Sequence, residues 1–432
     1  MKKFVRQVFS VLLAAASVSG GAGCSRAPLG GDGPGAVDGY RLVLDVRSLD
    51  AGLPSSGGDG VTEKIKTLRV IVLEDKEDGK EDGKIECNRL IEIGASAAAF
   101  RYEFVLPTTA GTKAVYLIAN EESVGAIQGA FPAGLPTASL TELAESFGVG
   151  TGAASFRQAM EAVYFAPDYA PDPEDGIYLP YVSCYDGIEM IKDQVTTQTM
   201  YLVPVATKFT FHFVNKRAFG ISVKQIGVTA IDSDNFLFAR VKRQGQDYRK
   251  VFDDPEKRLY WIDWLAAVAA KTQEAGYFGT NESVNEKYGW ISDYAMPAPE
   301  PEERTLLAES ILVPAAQGEI PGEAVCGPCY FPESRNIFDI FDKDGNPIGE
   351  EQRYFLSLEL EDKNPEASPA DIPKFEKQQI ENLKSLFRNT SVLIRITMSQ
   401  DAVKAYAEIA DWSRKSANGW VLDGEDSGSI SE

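Results

Sequence analysis

After residue 40, hydrophobic and polar positions alternate with a period of two over most of the chain, which predicts strands with one face turned to a core. Tyr40–Arg47 is the first such segment. Lys64–Leu73 comes after a loop rich in Gly, Ser and Pro, and becomes continuously apolar toward its end, as a strand buried on both faces does. The charged Gly turn at 74–83 and the return at Ile85–Ile91 predict a hairpin. Ala99–Leu106 and Lys113–Asn120 are two further strands separated by a Pro-Thr-Thr-Ala-Gly turn. Then the period changes. Ser139–Phe147 opens with a capping box, Ser139 with Glu142, ahead of helical spacing, and Ser155–Val163 predicts a second short helix. A Pro/Asp-rich loop leads to strands at Tyr178–Cys184 and Thr196–Val205. The pattern is mostly β, a sandwich with short helical insertions.

In the second half, Phe209, Phe211 and Phe213 line one face of a strand at 207–214, which turns His212 to the opposite, surface side. The segments 221–231 and 235–241 flank Asp232-Ser-Asp234 and predict a hairpin. From about 245 to 335 the sequence is irregular and aromatic, with Trp261–Ala270 as a candidate short amphipathic helix. Gln352–Leu360 is a strand. Pro373–Leu386 predicts a helix, with Ile380, Leu383 and Phe387 at helical spacing. Arg388–Met398 and Val403–Trp412 form the clearest hairpin, and Gly419–Leu422 can add a last short strand. At roughly 100–200 residues per domain, a chain of 432 residues divides into two globular parts. Their predicted spans are 40–205 and 206–432.

The first 39 residues follow a different pattern. Lys2, Lys3 and Arg6 precede an apolar run from Val8 to Val18, too short to span a bilayer, and Ser19-Gly-Gly-Ala-Gly-Cys24 follows. This resembles a bacterial lipoprotein signal over 1–23, in which Cys24 becomes the acylated N-terminus of an outer-membrane lipoprotein. Gly21 departs from that pattern, which usually has Leu or a similar residue there. Residues 24–39 read as a flexible Gly/Pro tether. The fifteen residues from Ser25 to Gly39 reach at most about 50 Å.

Charge and composition narrow the function. The net charge is −21, and without residues 1–23 it is −24, from 40 basic and 64 acidic residues. Such a surface repels phosphate backbones, which argues against nucleic acid as a partner. With His212 as the sole histidine, His-rich zinc sites are nearly excluded and a Ser/His/Asp triad rests on one residue. The acidic turn 74–83 lacks the ligand spacing of an EF-hand. Cys326-Gly-Pro-Cys329 has the residues of a thioredoxin redox motif, but falls between Pro321-Gly-Glu and Tyr330-Phe-Pro, which is loop sequence. A local Cys326–Cys329 disulfide or two free thiols fit better than oxidoreductase activity. No cofactor, metal site or catalytic residue is expected.

Several pieces, in order, resemble one family. They are the lipoprotein-like leader, Lys64–Leu73 with downstream Cys87-Asn88, Val205-Ala-Thr-Lys-Phe-Thr-Phe211, and Leu386–Ile396 followed by Ile409-Ala-Asp-Trp412. This arrangement is similar to the fimbrillins of Bacteroidales, the type V pilus subunits. The resemblance implies two tandem transthyretin-like Greek-key β-sandwich domains, export as a lipoprotein, and a structural role in an adhesive cell-surface pilus. It further implies that a trypsin-like protease cuts after an arginine near the start of the first domain. Removal of the first strand then opens a groove that a strand of another pilus subunit fills. Arg47, closing the first strand, is the candidate cut site. Arg41 lies inside that strand, and cutting there would leave most of it attached. The candidate donor positions are Ala405, Ala407, Ile409, Trp412, Trp420 and Leu422. The alternative is a non-polymerising surface lipoprotein, either a pilus anchor or a glycan-binding protein using Trp261, Trp264 and Trp290 to stack on sugars.

Overall fold

The computed structural model describes residues 25–26, 40–48, 63–75, 83–93, 101–169, 176–229, 231–238, 240–241, 294–295, 304–306, 310–335, 354–364, 377–380, 383, 385–386, 388–400 and 402–411. The fold is mostly β. Its first part contains β1 (Tyr40–Ser48), β2 (Thr67–Glu74), β3 (Ile85–Glu92), β4 (Arg101–Thr108) and β5 (Gly111–Ala119). Two helices follow, α1 (Leu140–Glu145) and α2 (Ala153–Ala162), and then β6 (Tyr181–Met190) and β7 (Val195–Pro204). The sheet order is Ser25–Arg26, β4, β1, β7, β6, β5, β2, β3.

β7 makes this a sandwich rather than an open sheet. Val195–Leu202 runs parallel to β1, and Val203–Pro204 then pairs with β6. One strand thus serves both halves. The inner faces of the two halves meet in one core, where Leu42, Leu44 and Val46 of β1 pack with Leu68, Val70 and Val72 of β2, and Val115 and Leu117 of β5. The other face of β2 and β5 is also covered. Ile71, Leu73, Tyr116 and Ile118 form a second cluster with Leu140 and Leu143 of α1 and Phe156 and Met160 of α2. The continuous apolar run in β2 is therefore explained by burial on both faces. The Ser139 hydroxyl accepts from the Glu142 amide, as the capping box predicts.

A buried polar clip attaches the helices to the sheet. Arg69 of β2 is held by the Glu121 carboxylate through Nε at 2.6 Å and Nη2 at 2.7 Å. Its Nη1 donates to Asn88 Oδ1, and the Asn88 amide in turn donates to the carbonyls of Ala144 and Phe147 at the end of α1. The Ala144 carbonyl also accepts from the Phe147 amide at 3.3 Å, and Asn88 adds a second donor where the helix ends.

The second part contains β8 (Thr207–Asn215), β9 (Ile221–Val228), β10 (Ile311–Val313), β11 (Gly322–Phe331), β12 (Phe355–Asp362), β13 (Thr390–Met398) and β14 (Val403–Asp411). One sheet is ordered β11, β8, β13, β14; in the other, β9 lies between Arg304–Thr305 and β12, with β10 also on β9. Phe209, Phe211 and Phe213 of β8 and Val392, Ile394 and Ile396 of β13 pack against Ile221, Val223 and Ile226 of β9 and Leu356 and Leu358 of β12.

The strands expected at Ala99–Leu106 and Lys113–Asn120 form, β4 pairing with β1 and β5 with β2 and β6. Several other expectations change. The 221–241 hairpin does not form: β9 pairs with β12, whereas Asn235–Phe236 pairs with Tyr164–Phe165. Leu237 and Phe238 are drawn into the helical cluster, which accounts for the departure. The helix predicted over Pro373–Leu386 is also absent from its described residues, which hold the short strands Gln378–Gln379 and Ser385–Leu386. Ile380 and Leu383, two of the three positions at helical spacing, plug into the second core beside Leu386, and Phe387 lies outside the described residues. His212 faces away from the phenylalanines as expected, but is 5% exposed, with Nε2 3.4 Å from Glu323. Trp261–Ala270 and Gly419–Leu422 lie outside the described residues.

Candidate functional site

β1 is the best-placed element for a function, because of its neighbours. It lies inside the sheet, antiparallel to β4 from Tyr40↔Thr108 to Arg47↔Arg101 and parallel to β7 from Arg41↔Val195 to Ser48↔Leu202. The alternation Leu42, Leu44, Val46 places three fully buried side chains on one face. Each is worth about 1.5–3 kcal/mol on burial, so withdrawing β1 exposes on the order of 5–9 kcal/mol of apolar contact. It also strips ladder hydrogen bonds from both β4 and β7, and both flanks then present unpaired amides and carbonyls.

Arg47 is the penultimate residue of β1, not its terminus, and its backbone pairs with Arg101 and Tyr201. The peptide bond after it therefore lies in the ladder, and cutting there requires the strand end to fray. The first described residue after β1, Glu63, is tied down firmly. Its carboxylate receives Lys208 Nζ at 2.6 Å and the Tyr330 hydroxyl at 2.7 Å, and the Lys64 amide donates to the Ile177 carbonyl. Chain severed at Arg47 remains clasped at Glu63 by β8 and β11. Residue types alone did not single out this clasp, since Lys208 and Tyr330 are far from Glu63 in sequence.

Asn120 fixes the floor beside the clasp. It adopts a left-handed backbone at φ 53°, its Oδ1 accepts from the Lys66 amide, and its Nδ2 donates to the carbonyls of Lys64 and Leu179, each at 2.8 Å. Two chain segments, at 64–66 and at 179, thus converge on one buried amide.

Of the candidate donor positions, Ala405, Ala407 and Ile409 lie on β14, opposite Ile396, Ile394 and Val392 of β13. Ala407 is buried and Ala405 half-buried. Within the chain β14 is already a paired edge strand, so donation would require it to leave β13 or to pair through its outer edge. Trp412, Trp420, Leu422 and Cys24 lie outside the described residues. Cys326 and Cys329 are in β11, not in a loop as their flanking Pro and Gly residues suggest. β11 accommodates Pro328 because it is an edge strand and carries a bulge between Cys326 and Cys329.

Among the described residues, no cluster of three or more His, Cys, Asp or Glu could hold a metal ion. Nor is any described helix long and apolar enough to cross a membrane. Burial pushes the Cys87 thiol up to about 11, as for a packing residue rather than a nucleophile.

No family model matches the chain, and no curated protein matches it. Similar solved structures include the C-terminally truncated tip fimbrial protein Mfa3 of Porphyromonas gingivalis, at 11% identity and TM-score 0.42, covering 86% of this chain and 99% of that one. A fimbrilin of Porphyromonas gingivalis is similar at 11% identity and TM-score 0.40, covering 86% and 97%. A fimbrial assembly protein of Parabacteroides distasonis is similar at 9% identity and TM-score 0.38, covering 86% and 98%. These three solved structures are of fimbrial proteins, and at these TM-scores the likeness by itself assigns no function.

Proposed function

We propose that this chain is a structural subunit of an adhesive cell-surface pilus, exported as a lipoprotein acylated at Cys24. In this reading the chain divides at 205/206 into two sandwich domains. A trypsin-like protease cuts after Arg47, β1 leaves, and a strand from another pilus subunit fills its place. The observation that carries the reading is the position of β1, fully buried on one face and paired on both edges. Such a strand is replaceable in kind. An incoming strand restores both ladders and refills the positions of Leu42, Leu44 and Val46. The Glu63 clasp keeps the body of the protein closed around the slot while β1 is absent. Donation from β14 or from the segment after it would make each subunit both acceptor and donor, as a fibre requires.

The test is to treat the purified precursor with a trypsin-like protease, sequence the new N-terminus and run the product unheated in SDS. A new N-terminus at Ser48 together with heat-labile ladders supports the reading. Clean cleavage that leaves a monomer rejects it in favour of a non-polymerising surface lipoprotein.

A further inference from the structure

The CGPC motif has no part in strand exchange, yet its geometry is specific. β11 runs antiparallel to β8, with Cys329 opposite Phe209 and Cys326 opposite Phe211, so three steps on β11 face two on β8. The extra residue is taken up in the Gly327-Pro328 bulge. Both cysteines therefore fall on the same face as the two phenylalanines, and both pack against the second core from its rim. Two strand residues span about 7 Å, the upper limit for the Cα separation of a disulfide. The side chains are closer than that, because the two thiols hydrogen-bond each other. Gly327 supports the arrangement, with φ +115° and its Cα so near the Phe209 carbonyl that a Cβ would stand 2.8 Å from that oxygen.

We propose that Cys326 and Cys329 are joined by an intrachain disulfide after export, stapling the bulge of edge strand β11 over Phe209 and Phe211. This rests on the export reading of the leader, since disulfides persist outside the reducing cytosol, and not on polymerisation. The reaction is thiol–disulfide exchange with a disulfide oxidant. The Cys326 thiolate attacks the oxidant and releases one thiolate, and Cys329 then loses its proton and attacks Cys326 Sγ, displacing the second. Two electrons pass to the oxidant, which leaves as two thiols carrying the two protons. Cys326 is the attacking sulfur because the Cys329 hydrogen bond lowers its pKa, while the same contact raises that of Cys329. The ring keeps β11 kinked, so this edge cannot template a further strand, whereas β14 has neither proline nor a register shift against β13.

The full chain is secreted into an oxidising periplasm, alkylated without reductant, and mapped by peptide mass. The expected product is a peptide carrying both cysteines, unalkylated and about 2 Da lighter than the dithiol, which takes two alkyl groups only after reduction. In the C326S variant Cys329 should alkylate without reductant. On the wild-type protein, reduction should speed hydrogen exchange at Val325–Tyr330 and leave β1 and β7 unchanged. Alkylation of both cysteines before reduction overturns the proposal, as does a bridge from either one to Cys184. Unchanged exchange at β11 on reduction overturns the staple. If C326S fails to fold, the peptide map and exchange on the wild-type chain decide. A processed protein that stays monomeric yet carries the bridge would sink the pilus reading and leave this one intact.

Discussion

Arg388 Nη2 lies 2.6 Å from Glu333 Oε2, each side chain 1% exposed, where the helical cluster meets the second core. Arg388 also donates to the carbonyls of Leu237 and Phe236, and its amide donates to Glu333 Oε1 at 2.9 Å. The pair fastens the turn before β13 to the segment that packs on the helices. Removing one partner strands a buried charge, so Arg388→Met should lower stability by about 3–5 kcal/mol. The double variant R388M/E333L should recover part of that loss. A double-mutant cycle from urea unfolding checks this, and additive losses would show that the pair acts as two independent packing residues.

Much of this arrangement was visible in the sequence. The alternating phenylalanines at 209, 211 and 213, the β13–β14 hairpin and the Ser139 cap follow from local spacing, and all form as that spacing predicts. Long-range pairing was not visible. The two-residue link between β4 and β5 gives no sign that the two strands part company, since either pairing satisfies the same alternation. The central place of β1 depends on β7, about 150 residues later, approaching it in parallel. Proline and glycine misled at 326–329, where they mark a bulge on an edge strand and not a loop.

Leu44 distinguishes the uncut chain from the proposed processed form. It is fully buried in β1, so Leu44→Ala should destabilise the uncut protein by about 2–5 kcal/mol. If cleavage removes β1 as proposed, the cut variant should melt at the wild-type temperature. Thermal melts before and after protease treatment test this. A deficit that persists after cleavage would mean that β1 stays in place.

Asn120→Ala should cost about 2–3 kcal/mol, because the Lys66 amide and the Lys64 and Leu179 carbonyls lose their partner and alanine disfavours φ 53°. Asn120→Gly removes the backbone strain but not the lost hydrogen bonds, so it should fall between wild type and alanine. Equal melting of the glycine variant and wild type would show that the hydrogen bonds contribute nothing.

Glu361 has a pH signature. Hydrogen bonds from Lys224 at 2.7 Å and Lys363 at 2.8 Å hold its carboxyl at about 2, below the ordinary 4.5. A folded pKa below the unfolded one stabilises the fold above the unfolded value, and that contribution is lost as pH falls from 4.5 through about 2. Glu361→Gln should therefore flatten the acid limb of the melting temperature in that window and leave neutral pH nearly unchanged. Because the site is exposed, 1 M salt should shrink the wild-type difference. Identical acid limbs for the two proteins would contradict the pairing.

The central claim is that the place of β1 is a slot for a strand. Its most direct test is competition: protease-cut subunit is allowed to assemble with and without an excess of a synthetic peptide of residues 40–48. Ladders without the peptide, and monomers bearing one bound peptide with it, are predicted. Ladders of equal length in both, with no peptide retained, would contradict it.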